Sequence, residues 1–395
     1  MSKESSKWWS LIQRELDGES YTRYKKKRKE AKTWYQNQGQ YSAAEKTSWD
    51  SGVVVRSNLF QRDIDILAQS GWAEEPRFTV LTDLNDPRYQ RGSTAFQAML
   101  TKAWNETKAN SEVEMAYLEA LFGNVSYVAL DFDRHRQLPS VRWVNGDIVI
   151  DPKAKGRLKR ANWVAEVIER PFMEFYNDRT IPKEKRDAVH KKMMSYSKAE
   201  KFSMDQDIRL SYIWSKNGQA PWKTMEGRKH IILTDVLDEP LLVEDWPWPF
   251  LDPDEFPIYK LELRTIPDSP YGMTMFEALE PLYRAFNWAA TFTLTDARKA
   301  ATRKLFYNEG KINEPEKLSS GKHLEPVATK GNPGEAIHLQ DYGSGSPVVY
   351  RVLEFIQQMH DQQSGVSDIV RGQSPGGRTT AEEVRTLQRN ASVVF

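Results

Sequence analysis

Two carboxylates, Asp131 and Asp133, stand two residues apart in the stretch Tyr127-Val128-Ala129-Leu130-Asp131-Phe132-Asp133. Alternation of this kind predicts a β-strand, on which residues two apart share a face. The pair could therefore offer oxygen ligands to Mg²⁺, and a metal-dependent nucleic-acid enzyme is one reading of it. Asp-x-Asp is a common accident, however, and no third carboxylate is set beside the pair by spacing. The histidines His135, His190, His230, His323, His338 and His360 show no pairing at zinc-ligand spacing. Each reads as structural or exposed. Ser320-Gly321-Lys322-His323 lacks the upstream glycine and the hydroxyl after lysine that a nucleotide-binding loop requires. No nucleophile-elbow pattern is present. Gly343-Ser344-Gly345 reads as a flexible lead into the helix that follows. The expectation is a non-enzymatic chain with no catalytic residue, no metal and no cofactor.

Cations are the other residues able to do chemistry, and they gather at the ends of two helical patterns. The first begins near Tyr271-Gly272-Met273 and carries Phe276, Leu279, Leu282, Phe286, Ala289, Ala290, Thr293 and Leu294 at helical spacing. Pro281 predicts a kink or a fresh start within it. Arg298, Lys299, Arg303 and Lys304 crowd its last turns, where cations suit the carbonyl end of the macrodipole. In an ideal helix Lys299 and Arg303 share a face, about 100° from Arg298. The second pattern has Ser346 as N-cap and Pro347 in the first turn, then Val349, Leu353, Ile356 and Met359, with Gly365 as the stop. Between the helices the chain turns to strands and turns, with Leu305-Phe306-Tyr307 and Ala336-Ile337-His338-Leu339 as the strand segments. After Gly365 come Arg371-Gly372 and the loop Ser374-Pro375-Gly376-Gly377-Arg378. Thr379 with Glu382 and Thr380 with Glu383 then form two overlapping capping boxes for a further helix.

Ser364-Gly365-Val366-Ser367-Asp368-Ile369-Val370-Arg371-Gly372, continued through Arg378 to Glu383, resembles a segment of the portal proteins of tailed bacteriophages. There the loop between two helices faces a DNA channel. Two long helices bridged by a small mixed insert resemble the portal stem helices bridged by the clip. The resemblance implies an α+β portal fold. Residues 1–50 would form an N-terminal helical arm and 51–270 the wing. The first stem helix would span 271–304, the clip 305–345 and the second stem helix 346–365. The channel loop would be 366–379, and 380–395 would begin a wing or crown helix. The resemblance also implies a closed ring of identical subunits, usually a dodecamer, at the unique capsid vertex. Double-stranded DNA would be bound without sequence preference during packaging and ejection. Terminase, capsid and scaffold proteins, and a tail or head-completion adaptor would be its partners. The protein would be found in the virion, and in the host cytoplasm during assembly. The channel-facing candidates are Arg371 and Arg378 on the loop and Arg298, Lys299, Arg303 and Lys304 on the stem. Gly372, Gly376 and Gly377 would let the loop move as DNA passes. Intersubunit ion pairs compete for both loop arginines, and pairing with Glu309 or Glu316 competes for the stem cations. Because the chain reaches Val393-Val394-Phe395 in helical phase after Leu387 and Ala391, a continuation beyond Phe395 is expected. Another virion connector without a DNA channel is the second alternative.

Composition is compatible with this. Lysine and arginine total 56 against 55 acidic residues, so overall charge does not drive nucleic-acid coating. Zero cysteines exclude disulfides and thiolate zinc sites. No signal pattern and no apolar run near ~18 residues appear, so a membrane partner is not expected. Trp8, Trp9, Leu11 and Ile12 anchor the first of two amphipathic helices in the arm. Lys25-Lys26-Lys27-Arg28-Lys29 on the second reads as a solvated face. The 13 tryptophans and 16 tyrosines suit either an aromatic core or subunit interfaces.

Arg378→Ala is expected to leave ring assembly intact and to alter packaging or retention of DNA. Packaged DNA length and infectivity both matching the parent would remove Arg378 from the channel.

Overall fold

The structure, a computed structural model, describes residues 2–41, 54–71, 78–81, 87–133, 138–196, 205–216, 227–246, 251–252, 254–267, 269–301, 304–308, 310–313, 316, 329–332, 334, 337–340 and 347–364. It is a mixed α and β fold with antiparallel sheets. Helices α1 (Ser2–Leu16), α2 (Glu19–Tyr35), α3 (Leu59–Gly71), α4 (Pro87–Glu106) and α5 (Ala109–Gly123) precede the strands. Strands β1 (Val125–Asp133), β2 (Leu138–Trp143), β3 (Asp147–Ile150) and β4 (Trp163–Pro171) lead to α6 (Phe172–Asn177) and α7 (Lys183–Tyr196). Then follow β5 (Asp207–Ser215), β6 (Lys229–Thr234), β7 (Leu242–Asp245) and β8 (Ile258–Glu262).

Period-two alternation builds the larger sheet, in which β3 to β7 lie in chain order, all antiparallel. Val149, Trp163, Ala165, Val167, Ile213, Ile231 and Leu233 point to one face, where Trp8 and Ile12 of α1 cover them. The Trp8 ring meets Trp163 edge-on at 5.4 Å. On the other face Ile208, Leu210 and Ile232 are covered by Phe172 and Phe175 of α6 and Val189 of α7. Beside them Ile148, Ile150 and Val164 pack on the smaller sheet β2–β1–β8 through Val125, Tyr127, Ala129 and Ile258. Each large apolar side chain buried in this way is worth about 1.5–3 kcal/mol.

A second core is helical. Trp34 of α2, Phe60 and Ile64 of α3, and Leu121 and Phe122 of α5 pack on helix α8 (Met275–Ala301) through Phe276, Leu279 and Tyr283. Helix α8 starts at the cap of Thr274, whose Oγ1 accepts from the Glu277 N–H at 3.0 Å. It then continues through Pro281 as one helix instead of starting afresh there. Helices α4 and α5 are separate because Lys108 adopts a left-handed φ of 56° between them. Strand β7 was not foreseen.

The basic run of α2 is part solvated face and part seam: Lys26 and Lys29 are exposed, while Lys25, Lys27 and Arg28 reach acids on other elements. Lys25 Nζ donates to Asp147 at 3.0 Å, and Lys27 Nζ reaches Glu30 and Glu280, each at 3.0 Å. Arg28 pairs with the buried Glu119. Lys27 is held above its ordinary range: burial pulls it down, but its bonds to Glu280 and Glu30 win. One basic helix thus ties β3, α5 and α8 together.

Asn124 fixes where α8 begins. It has a left-handed φ of 66°, its Nδ2 donates to the carbonyls of Arg264 (2.9 Å) and Tyr271 (3.0 Å), and its Oδ1 accepts from Arg264 N at 2.9 Å. Gly272 must be glycine here: φ is +63°, and a Cβ would lie 2.6 Å from the Arg264 carbonyl. Asn124→Ala strands these backbone groups and should cost about 2–4 kcal/mol in urea unfolding. A loss under about 0.5 kcal/mol would show that the clamp is incidental.

Candidate functional site: the paired helices and their basic ends

Helix α9 (Pro347–Ser364) lies antiparallel to α8. Its Val352 and Ile356 face Arg284, Ala285, Trp288 and Ala289 across an open groove of about 440 Å³. His360, further along α9, meets the earlier residue Tyr283 with ring centroids 5.3 Å apart. The far ends of the pair are bridged by the ribbon of β9 (Lys304–Tyr307) and β10 (Ile337–Gln340), in which Lys304 faces Gln340 and Tyr307 faces Ile337.

Helix α8 carries two different faces. Phe276, Leu279, Tyr283, Asn287 and Thr291 recur every three or four residues and are buried. The polar members hold neighbouring backbone. Asn287 Oδ1 accepts from Ser57 N at 2.8 Å, and Thr291 Oγ1 accepts from Val55 N at 2.9 Å. Tyr41 Oη lies 3.1 Å from Thr291 Oγ1 and donates to the Val55 carbonyl at 2.8 Å. The opposite stripe is exposed yet aromatic: Trp288 is 58% exposed, and its ring stacks on Phe292 at 5.8 Å. Helix α9 repeats this, with Tyr350 and Phe355 exposed, Phe355 by 59%. Leu294, placed by spacing on the apolar pattern, is also exposed.

A buried polar cluster locks the pair to the body. Asp63 of α3 is 0% exposed and its Oδ2 accepts from Tyr283 Oη at 3.0 Å. His360 Nε2 lies 2.7 Å from the same oxygen, and His360 itself is 1% exposed. Arg62 Nη2 stands 3.5 Å from Asp63 Oδ1, and His360 Nδ1 lies 3.2 Å from Asp361 Oδ1. Burial, reinforced by the Asp63 charge, pushes the Tyr283 phenol well above its ordinary range, so the hydroxyl stays a donor. The signal in the sequence was the phase of α9: Leu353, Ile356, His360 and Ser364 fall on one inward stripe. His360 is thus a structural histidine, one of the two readings its sequence context allowed, with a partner that spacing did not name.

The sequence-expected site residues are not brought together among the described residues. Arg298 is exposed in the last turn of α8, and Lys299 follows it in the helix. Lys304 is not on the helix as expected, because α8 ends at Ala301 and Lys304 opens β9. Arg303, Arg371, Arg378, Gly372, Gly376 and Gly377 lie outside the described residues. Asp131 is on β1, opposite Ser140, and Arg142 Nε stands 3.9 Å from its carboxylate. That same guanidinium makes a bidentate pair with the buried Glu166 at 2.8 and 2.9 Å. A fixed cation thus already answers the charge of both carboxylates. Among the described residues no group of three or more His, Asp or Glu could hold a metal ion. Nor is any described helix long and apolar enough to cross a membrane. No family model matches the sequence, and no curated protein matches it.

Asp63→Ala would leave Tyr283 and His360 buried without their common acceptor and should cost about 3–5 kcal/mol. Chemical denaturation reads this directly. A variant as stable as the parent would show that the cluster does not fasten α9.

Proposed function

We propose that this chain is the subunit of a portal-type ring, the conduit through which double-stranded DNA enters and leaves a phage capsid. The observation that carries the reading is the helix pair itself. Helices α8 and α9 run antiparallel, are bridged by a small strand-containing insert, and present half-exposed aromatic side chains. A single chain gains nothing by exposing Trp288, Phe292, Tyr350 and Phe355. A ring of head-to-tail contacts would bury such faces on every copy, because each subunit meets two neighbours through different surfaces. The loop sequence from Ser364 to Glu383 adds the resemblance that names this kind of ring.

In this reading α8 and α9 are the stem, the β9–β10 insert is the clip, and the sheets with α1 to α7 are the wing. The ring is usually a dodecamer. Each channel-facing cation is then repeated around a polyanion carrying about one charge per 1.7 Å. Strong contacts so multiplied would hold DNA still, so a conduit needs few cations and these on long or mobile side chains. Terminase would dock on the clip during packaging and an adaptor afterwards, and capsid and scaffold proteins would meet the wing. A virion connector without a channel would share the exposed aromatic faces but would need no cations near the bore.

Electron microscopy of the purified protein is expected to show hollow rings with a narrow stem. Phe355→Asp should shift the population toward single subunits while the circular dichroism of the fold is kept. Monomers alone at micromolar concentration and in particles would overturn the proposal, as would unaltered rings from Phe355→Asp together with Trp288→Asp.

A further inference from the structure

Asp151-Pro152-Lys153-Ala154-Lys155-Gly156-Arg157-Leu158-Lys159-Arg160 links β3 to β4 and carries five cations within ten residues. Lys153, Lys155, Arg157, Lys159 and Arg160 are all exposed. Among the described residues no carboxylate pairs with Lys153, Arg157, Lys159 or Arg160. The one acid in the run, Asp151, is buried and already committed. Its Oδ1 accepts from Lys153 N at 3.1 Å, and its Oδ2 accepts from Asn162 N at 3.2 Å and Asn162 Nδ2 at 2.9 Å.

The loop is built to hold this display. Two short 3₁₀ turns, Pro152–Ala154 and Leu158–Arg160, bracket left-handed residues at Lys155 (φ 49°) and Gly156 (φ 79°). Ala154 and Ala161 are buried, and Leu158 packs against the core of the small sheet. The apolar residues therefore fix the backbone, and the basic ones between them are turned to solvent. Gly156 sits against the chain leading to α8: a Cβ would lie 2.6 Å from Pro270 Cα. The patch is thus near the start of α8, whereas Arg298 and Lys299 are near its end. For a helix of 27 residues those ends lie about 40 Å apart.

We infer that this loop is a second polyanion site, a contact for the phosphate backbone of double-stranded DNA on the sheet domain, separate from the helix pair. Several exposed cations on a short segment held by buried alanines would attract a row of phosphates, and released counterions would supply the binding energy. Recognition by phosphate alone carries no sequence preference. The inference does not require the ring, although a ring would repeat the patch at one level around its axis.

The test uses the full chain and a labelled duplex of about 25 base pairs in fluorescence anisotropy over a salt series. The combined variant Lys153→Gln, Arg157→Gln, Lys159→Gln, Arg160→Gln changes only exposed side chains, and circular dichroism checks that it folds. Its affinity should fall at least about tenfold at low salt, and the slope of log K against log salt should become less negative by about 2–3. Arg298→Gln with Lys299→Gln serves as the comparison and should leave the greater part of that binding. Equal affinity and slope in parent and loop variant would overturn the inference. Loss confined to the Arg298 and Lys299 variant would do the same, as would binding of the parent to anionic phospholipid vesicles but not to duplex. If microscopy shows no rings while the loop variant alone loses duplex, the site stands and the portal reading falls.

Discussion

A carboxylate taken wholly out of water is the constraint on which the arrangement of helices depends. Moving Asp63 into the interior costs several kcal/mol unless donors meet it, and its donors come from other elements. Tyr283 belongs to α8 and His360 to α9, while the neighbouring Arg62 adds a charge 3.5 Å from the other oxygen. No two of these helices can part without leaving a polar group buried and unanswered. Apolar packing of Phe60, Phe276 and Tyr283 supplies attraction but tolerates sliding. The cluster converts that attraction into a fixed register between the body and the helix pair.

The same division of labour explains how a chain of almost zero net charge can have a polarised surface. Acids are spent inside. Asp147, Glu119 and Glu280 answer the basic side of α2, Glu166 answers Arg142, and Asp151 caps its own loop. Glu280 shows the cost and the return. Burial pushes its carboxyl up, yet the hydrogen bonds from Lys27 and Arg284 bring it below the ordinary range. With these acids drawn into seams, cations such as Arg157 and Arg160 are left outside. Net charge therefore says little about which surfaces attract a polyanion.

The residues that were legible in the sequence are those whose environment is set by near neighbours. Trp8 and Ile12 of α1, the alternation of β1, and the helix over 347–364 could be read because period and burial agree. Strand β7 was hidden because it is an edge strand whose Val243, Glu244 and Asp245 are exposed and show no alternation. The break at Lys108 was hidden because lysine, not glycine or proline, takes the left-handed turn. The start of α8 was obscured by Pro281, although Thr274 supplied an ordinary cap upstream. At the site, the pairing of residues 63 and 360 joins distant parts of the chain, and no local pattern announces it. The seam within the α2 charge run was hidden for a related reason: its partners Asp147, Glu119 and Glu280 are scattered through the next 250 residues.

Helix α8 shows why burial patterns within one subunit must be read twice. Its inner stripe mixes Phe276 and Leu279 with Asn287 and Thr291, because backbone at Val55 and Ser57 has to be satisfied there. Its outer stripe holds Trp288 and Phe292, where a helix facing only water would carry charge. Polarity is thus inverted relative to a simple amphipathic helix over these turns. The inner inversion has its explanation within the subunit, in hydrogen bonds of 2.8 and 2.9 Å. The outer stripe is only partly covered among the described residues, with Trp288 and Phe292 stacked on each other, and α9 repeats it with Tyr350 and Phe355. The ring proposed for this chain would cover both of these faces with further copies of the subunit.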